Sequence, residues 1–383
     1  MRRPVALFAL LLPSLAFAWG FDGHRKLASM MQDPLPSSSC LRQWFAARQT
    51  AAWQDTACDP DRWRYTSAGA EYDPNEGPRH YLEVDWVSPI TDYPRDWNTV
   101  VAKVGGFNAT RNGIVPWRVE ELYRQLVDDF RSKDANRILT TAFHLSHYVT
   151  DAFSVLHDTK DSDPNNGLHA RWESDMLQST TNLNGVASTA VSFYGTVGRA
   201  DPRNNIFDIV LVGNGLVPTL IAADSASTTI AQLYTATREL TGRRWGDALT
   251  VMASILWTAW AEAGAPELAG FSSGCSRAVP STEIVIRGYP APMGFTHPDG
   301  GTATMDAGSG GGGGTGAGGG GGGGAPADDA GLGGGPGGGG AEPTDAGSDE
   351  PPPPTGCGCD VSGAPLLFAA AALLVAWRRR ARR

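Results

Sequence analysis

Five of the seven histidines in this chain stand at spacings typical of metal ligands. The clearest spacing is that of His147 and Asp151, which lie four residues apart in an apolar run with helical periodicity. Both side chains would therefore project from one face of a helix and could share an ion. His169 and Glu173 repeat this spacing, and together with His157 they supply three ligands and leave a coordination position for water or substrate. Because the donors are nitrogen and oxygen atoms, zinc is favoured over calcium or magnesium.

Residues 1–18 have the composition of a secretory signal peptide, with two arginines, an apolar stretch and a small-x-small end. Cleavage after them would export the protein and make Trp19 the mature N-terminus. A free α-amino group has a pKa near ~8, so the neutral amine and the adjacent carbonyl of Trp19 could chelate a metal together with His24. The alternative is that Trp19 is an ordinary aromatic residue that happens to begin the mature chain.

Residues 19–275 are long enough to form one large domain with a sizeable core. Apolar residues recur with helical spacing in four segments, whereas convincing alternating patterns are few. The four segments are 119–130, 137–156, 218–240 and 246–263. The pattern predicts an all-α domain. Residues 276–300 are predicted to close it, with a short strand at 282–287 as the main exception.

The composition changes at about residue 300. Residues 301–356 are rich in glycine and proline, their charged residues are all acidic, and they predict a flexible linker without a core. Residues 357–383 contain a Cys-Gly-Cys motif, an apolar run near the short limit of ~17 residues for a membrane helix, and an arginine tail. The arginines would stay in the cytoplasm and leave the domain outside. This end resembles the myxobacterial C-terminal sorting tag, which implies processing at the cysteines and surface display or release; a plain tail anchor is the alternative.

The ligand series resembles the zinc-dependent phospholipase C and S1/P1 nuclease superfamily over roughly residues 19–270. The resemblance implies a multi-helix domain of the phospholipase C/P1 nuclease type that carries three zinc ions and hydrolyses phosphodiesters. Every position that corresponds to a ligand holds a competent residue. These nine positions are Trp19, His24, Asp55, His80, His147, Asp151, His157, His169 and Glu173.

The same resemblance implies how the ligands are divided among the three ions. The first zinc would be held by Asp55, His80, His147 and Asp151. The second would be held by the Trp19 amine and carbonyl, His24 and Asp151, and the third by His157, His169 and Glu173. In this arrangement Asp151 bridges a zinc pair that lowers the pKa of a shared water toward ~7, while the third ion binds a phosphate oxygen. Asp55 would also be the candidate general base.

The branch within the superfamily stays open. The Trp-Gly-x-x-Gly-His start at 19–24 and Trp172 before the last ligand are similar to the nucleases. Glu173, in place of Asp, and the short gap before His169 are similar to the bacterial phospholipases C. Ser174 stands where the nucleases carry a base-contacting Asn.

Residues 19–300 contain 24 lysines and arginines against 32 acidic residues, which is a poor electrostatic footprint for long nucleic acids. We therefore expect an exported zinc-dependent phosphodiesterase of phospholipase C type, with a phospholipid or other phosphodiester as substrate and a membrane contact through its C-terminal segment. A single-strand nuclease or 3′-nucleotidase of the S1/P1 type is the alternative. A non-catalytic surface binding module is a third possibility, although such a module would be expected to have lost ligands.

Two cysteines bracket the segment that contains Asp55, so a disulfide between Cys40 and Cys58 is expected to stiffen it, with Cys275 left over. His144 is expected to be a buried hydrogen-bonding residue rather than a ligand.

Tyr81 could line a substrate pocket or pack the core. Trp257 and Trp260 follow an apolar helical pattern that favours the core over a substrate platform.

Overall fold

The computed structural model describes residues 19–285, which form a set of packed helices. The α-helices are α1 (Gly20–Met30), α2 (Cys40–Ala46), α3 (Ala51–Thr56), α4 (Asp59–Trp63), α5 (Trp97–Val104), α6 (Gly106–Arg111), α7 (Val115–Ser132), α8 (Ala135–Asp151), α9 (Leu168–Ala170), α10 (Thr180–Val191), α11 (Pro202–Ser225) and α12 (Ile230–Glu262). Short 3-10 helices lie at Thr66–Glu71, Gly77–His80, Val84–Trp86, Ile90–Asp92 and Val155–His157, and a π-helical turn at Arg171–Asp175 continues α9. Within 19–285 no strand extends beyond an isolated bridge, so the all-α prediction is confirmed for this part of the chain.

Capping side chains set the helix boundaries. The Asp134 carboxylate accepts hydrogen bonds from two backbone amides at the start of α8. Thr229 and Gln232 form a reciprocal capping box at the start of α12. This cap explains why the single helix predicted at 218–240 is wrong, because the segment is divided between the end of α11 and the start of α12.

The core lies among the five longest helices. The most extensive contacts join α10 to α12, α7 to α8, and α7 to α11, and α12 also contacts α7, α8 and α11. Trp257 and Trp260 are buried on α12, which confirms their assignment to the core. The second half of α8 is enclosed almost completely, so its ligand face points into the protein interior.

The strand predicted at 282–287 is reduced to two isolated bridges within the described residues. Val285 pairs with Thr196, and Glu283 pairs with Arg199. A side chain at Gly198 would overlap the Glu283 backbone, so the glycine permits this close approach.

The disulfide prediction is wrong. Cys40 is bonded to Cys275, with their Cα atoms 4.9 Å apart, whereas Cys58 is a buried free thiol. The chain after α12 returns to the start of α2, where the Cys40 amide donates to the Ser276 carbonyl at 2.9 Å. The bond joins residues separated by 235 positions, so nearness in sequence was a poor guide to the pairing.

Helix α11 is long and apolar enough to cross a membrane by length and composition, with a mean hydropathy of 1.9. In the described fold it packs against α7 and α12. The expected signal peptide (1–18), the linker (301–356) and the C-terminal membrane segment (357–383) lie outside the described residues.

Candidate metal centre

Helix α8 places His147 and Asp151 together on its buried face. The His147 Nε2 atom lies 3.1 Å from Asp151 Oδ2, and both side chains are fully enclosed. His80, at the end of the Gly77–His80 helix, brings Nδ1 to 2.8 Å from the same carboxylate oxygen. His24 of α1 approaches the other oxygen, with Nε2 3.3 Å from Asp151 Oδ1. His147 and Asp151 thus share one helix face, as their spacing predicted. His24 and His80, which the resemblance grouped with Asp151, approach this carboxylate from two other segments.

Asp61 of α4 completes this group, which we call the bridging group (His24, Asp61, His80, His147, Asp151). Its Oδ1 atom lies 3.9 Å from His80 Nδ1 and 4.0 Å from His147 Nε2, and the side chain is fully buried. Two subsets of the group, His24 with Asp61 and His147, and His80 with His147 and Asp151, each bring their ligand atoms within 4.8 Å of one another.

Asp55 was predicted for this position, and the structure does not place it there. Its carboxylate lies between two guanidinium groups, at 2.7 Å from Arg25 Nη2 and 2.8 Å from Arg62 Nη2, and it is partly exposed. Burial alone would raise the pKa of Asp55, but the hydrogen bonds from Arg62 and Arg25 outweigh it and lower that pKa. Both carboxylate oxygens already accept hydrogen bonds from arginine, so Asp55 is an ion-pair residue and Asp61 takes its predicted place.

The second group, which we call the outer group, consists of His157, His169 and Glu173 and agrees with the predicted set. His169 Nε2 lies 2.7 Å from Glu173 Oε2, and His157 Nε2 lies 3.8 Å from the same oxygen. Glu173 is in the π-helical turn, a local distortion that is frequent at functional sites. The Ser154 hydroxyl donates to the other Glu173 oxygen and fixes the orientation of the carboxylate.

Backbone carbonyls fix the orientation of three imidazoles. The Nδ1 atoms of His147, His157 and His169 lie 2.7, 2.8 and 3.0 Å from the carbonyl oxygens of Ala57, His80 and Ser162. A carbonyl oxygen only accepts, so each Nδ1 carries a proton, and each Nε2 faces its group and presents a lone pair to it whenever the imidazole is neutral. This is the arrangement in which proteins hold metal-binding histidines.

His80 is oriented the other way. Its Nδ1 faces the bridging group, while its Nε2 lies 3.3 Å from Glu76 Oε1. The Tyr148 hydroxyl and Arg79 Nη1 also donate to the Glu76 carboxylate. Burial alone would raise the pKa of Glu76, but His80, Tyr148 and Arg79 lower it to about 2. Glu76 is therefore an anion that supports His80 as a ligand.

The unpaired atoms at both groups fit a cation. Buried polar atoms normally have hydrogen-bond partners. Asp61 Oδ2 has no hydrogen-bond partner among the described residues. Four further ligand atoms face only each other across the space of each group, His24 Nε2 opposite Asp151 Oδ1 and His169 Nε2 opposite Glu173 Oε2, without satisfactory hydrogen-bond geometry. Ligand atoms on a tetrahedral zinc with bonds of ~2.0–2.1 Å lie ~3.3 Å apart, which is near the His24–Asp151 and His147–Asp151 distances. Each group could therefore hold a divalent metal.

The pKa shifts of Asp151 and His147 in the bridging group also favour a bound cation. Burial alone would raise the pKa of Asp151, but His147 and His24 hold it well below its usual value. Burial alone would lower the pKa of His147, but Asp151 and Asp61 raise it to about 9. The buried carboxylates thus require positive charge from their surroundings, which a proton on His147 supplies in the absence of metal and a divalent ion could replace.

Trp19 lies next to the bridging group and is fully buried. Its indole Nε1 donates to the Thr150 carbonyl at 2.8 Å, and its ring packs against Trp172 at 4.9 Å and Trp245 at 5.7 Å between ring centroids. Its carbonyl oxygen accepts from the Gly23 amide at 3.1 Å in the first turn of α1. These contacts bury the indole and engage the carbonyl in the first turn of α1. Chelation by the Trp19 amine and carbonyl stays a prediction because residues 1–18 lie outside the described part.

Three other residues singled out in the sequence lie outside both groups. His144 packs against Trp63 and lies 3.3 Å from Asp59, so it is not brought into either metal group. The Tyr81 hydroxyl donates to the Arg111 carbonyl at 3.1 Å. Ser174 lies against the backbone of Gly20, at the start of α1.

Sequence reasoning missed Asp61 and Glu76. A weak signal was present for Glu76, which precedes His80 by four residues. Asp61 had no distinguishing spacing, and the resemblance had assigned the ligand position to Asp55.

Comparisons with known proteins give no assignment. The chain matches no model of a known protein family, and it has no significant match among curated proteins.

Proposed function

We propose that this chain is an exported zinc-dependent phosphodiesterase of phospholipase C type. The observation that carries the proposal is the presence of two adjacent buried ligand groups with unpaired nitrogen and oxygen atoms. The groups are joined by direct contacts, because the His157 imidazole in the outer group bonds the backbone of His80 in the bridging group. Zinc bound by such groups supplies a Lewis acid for a phosphoryl oxygen and a water of lowered pKa.

The protein's own residues supply orientation and charge. Asp151 faces three histidines of the bridging group and is the residue best placed to be shared between two ions. Asp61 takes over the role of general base that the sequence assigned to Asp55, because Asp61 Oδ2 has no hydrogen-bond partner whereas both Asp55 oxygens bind arginine.

The phospholipase branch rests on Glu173 and on the acidic balance of the domain. Glu173 occupies the outer group with its longer side chain anchored by Ser154. Trp172, the nuclease-like residue before it, is fully buried and packs against Trp19. That packing accounts for Trp172 without a nucleic acid, so it does not favour the nuclease branch.

The test combines metal content with substrate comparison on the processed protein. We expect zinc at both groups, and faster hydrolysis of phosphatidylcholine than of single-stranded DNA at matched concentration and low salt. Asp151→Asn should lose more zinc and more activity than His169→Ala, since Asp151 contacts more ligands. His144→Ala is the matched control, because it removes an imidazole from α8 outside both groups.

Each outcome separates the alternatives. Faster cleavage of DNA or RNA than of any phospholipid would transfer the assignment to the nuclease branch. Zinc binding without hydrolysis of either substrate would indicate a binding module. Absence of zinc from the processed wild-type protein would refute the proposal as a whole.

A further inference from the structure

A buried ion pair holds the loop that connects the two metal groups. The loop runs from Ala152, just after α8, to Asp158, just after the 3-10 helix that carries His157. It leaves the bridging group at Asp151 and enters the outer group at His157. Any displacement of this loop therefore changes the separation of the groups.

Arg244 of α12 clamps this loop at both ends. Its Nε donates to the Phe153 carbonyl at 2.8 Å, and its Nη2 donates to the Ala152 carbonyl at 3.1 Å. The same Nη2 lies 3.4 Å from Asp158 Oδ2. The guanidinium is only 1% exposed, so one rigid side chain from the longest helix fixes the start and the end of the loop.

Helix α11 shapes the other side of the pair. A methyl group on Gly213 would overlap Asp158 Oδ2 and press on Arg244 Nη2, so the glycine provides the space for the pair. The neighbouring Asn214 side chain donates to the Asp158 carbonyl at 2.9 Å. Helices α11 and α12 thus converge on one turn of chain between the metal groups.

Stability alone is a poor explanation for this arrangement. Withdrawing the pair from water carries a desolvation cost: burial raises the pKa of the Asp158 carboxyl well above its usual value, although Arg244 opposes the shift. Buried ion pairs are often no more stabilising than apolar residues of similar volume. The planar fork of Arg244, in contrast, gives a fixed geometry to two carbonyls and a carboxylate.

We propose that Arg244, paired with Asp158, is a positioning residue that sets the placement of the outer metal group relative to the bridging group. The inference rests on the proposed metal sites and extends them beyond their direct ligands. Loss of the clamp lets the loop shift, which moves His157 and Ser154 and thereby the Glu173 carboxylate. The outer group loses affinity for metal while the bridging group, held by α1, α4, α8 and the Gly77–His80 helix, keeps it.

The test is a Co²⁺ titration of metal-stripped full-length protein, followed by the visible absorption of each site and requiring no turnover. Arg244→Met and Arg244→Lys should weaken metal binding at the outer group about 10–100-fold, the range typical when residues that support metal ligands are removed. The Lys variant keeps the charge but not the fork. His169→Ala and His80→Ala, each measured in the wild-type background, identify the absorption of the two groups.

Arg243→Met is the matched control, since Arg243 directly precedes Arg244 on α12 but pairs with Glu239 at the surface. Gly213→Ala displaces the Asp158 carboxylate from the pair while the Arg244 side chain is retained, and it should reproduce the selective loss. This variant keeps the test available if Arg244→Met fails to fold. Equal outer-group affinity in wild type and in the folded variants would overturn the inference, as would equal weakening of both groups. Wild-type protein that binds no ion would instead refute the proposed function.

Discussion

The two neighbouring aspartates, Asp55 and Asp61, give opposite predictions for substitution by asparagine. Asp61 is fully buried and is drawn into the bridging group, whereas the Asp55 side chain is 40% exposed and pairs with Arg25 and Arg62, whose side chains are 37% and 34% exposed. We expect Asp61→Asn to impair zinc binding and Asp55→Asn to leave it intact.

The two substitutions affect different quantities: Asp61→Asn should lower the stability that zinc binding adds, whereas Asp55→Asn should lower the stability that surface ion pairs add. Loss of a direct ligand should weaken zinc binding at least 100-fold, and each factor of ten is worth ~1.4 kcal/mol, so Asp61→Asn should remove about 3 kcal/mol of zinc-dependent stability. Exposed ion pairs contribute roughly 0–1 kcal/mol each and are screened by solvent, so Asp55→Asn, which removes two of them, should cost about 2 kcal/mol or less.

Thermal unfolding with zinc and with a chelator separates the two effects. For a domain of this size ~1 kcal/mol corresponds to a shift in Tm of roughly 2–4 °C. The Tm difference between zinc-loaded and stripped protein should shrink by about 6–12 °C in Asp61→Asn, using the same conversion. It should be unchanged in Asp55→Asn, whose small loss appears in both conditions. If Asp55→Asn lost the zinc-dependent stability and Asp61→Asn kept it, our placement of the ligand would be wrong.

Three further predictions concern the disulfide, an acidic group and the N-terminus. Cys275→Ser should cost about 2–5 kcal/mol in denaturant unfolding, whereas Cys58→Ser should preserve the disulfide in non-reducing peptide mapping. The Cys58 thiol, whose pKa burial raises to about 12, should resist alkylation at pH 8 in the folded protein. In metal-free protein, the pKa of Glu76 is lowered from 4.5 to about 2. Its contribution to the free energy of unfolding is therefore present above pH 4.5 and lost as the pH falls toward 2. Glu76→Gln should flatten this part of the acid unfolding curve. An extra Met before Trp19 should remove one zinc and most activity, and equal zinc content and rate in both forms would refute its role as a ligand.

The parts of the site that the sequence predicted depend on short-range geometry. His147 with Asp151, and His169 with Glu173, lie one helical turn apart, so their convergence follows from helix periodicity alone. The structure confirms both pairs as neighbours at 3.1 and 2.7 Å. The all-α class followed from the same periodicity, although the break between α11 and α12 required the capping interaction of Thr229 to be recognised.

The parts that the sequence did not predict depend on contacts between distant segments. Whether Asp55 or Asp61 points inward is decided by the two short helices α3 and α4 and by Arg25, which approaches from α1. The pairing of Cys40 with Cys275 is decided by the return of the chain after α12. No spacing within one segment carries that information.

The two metal groups lie in the interior of the described fold, so many of its helices pack around a few ligand side chains. Buried carboxylates and imidazoles without sufficient partners destabilise a protein, so a site such as the bridging group is held together by the rest of the core until an ion binds. Here α8 supplies two ligands from the interior. Helix α12 packs against α8 and contacts the loop between the two groups through Arg244. The ligands on α1 and α4 come from shorter helices at the edge of this core. The long helices therefore set the separation of the two groups, while the shorter helices complete the bridging group.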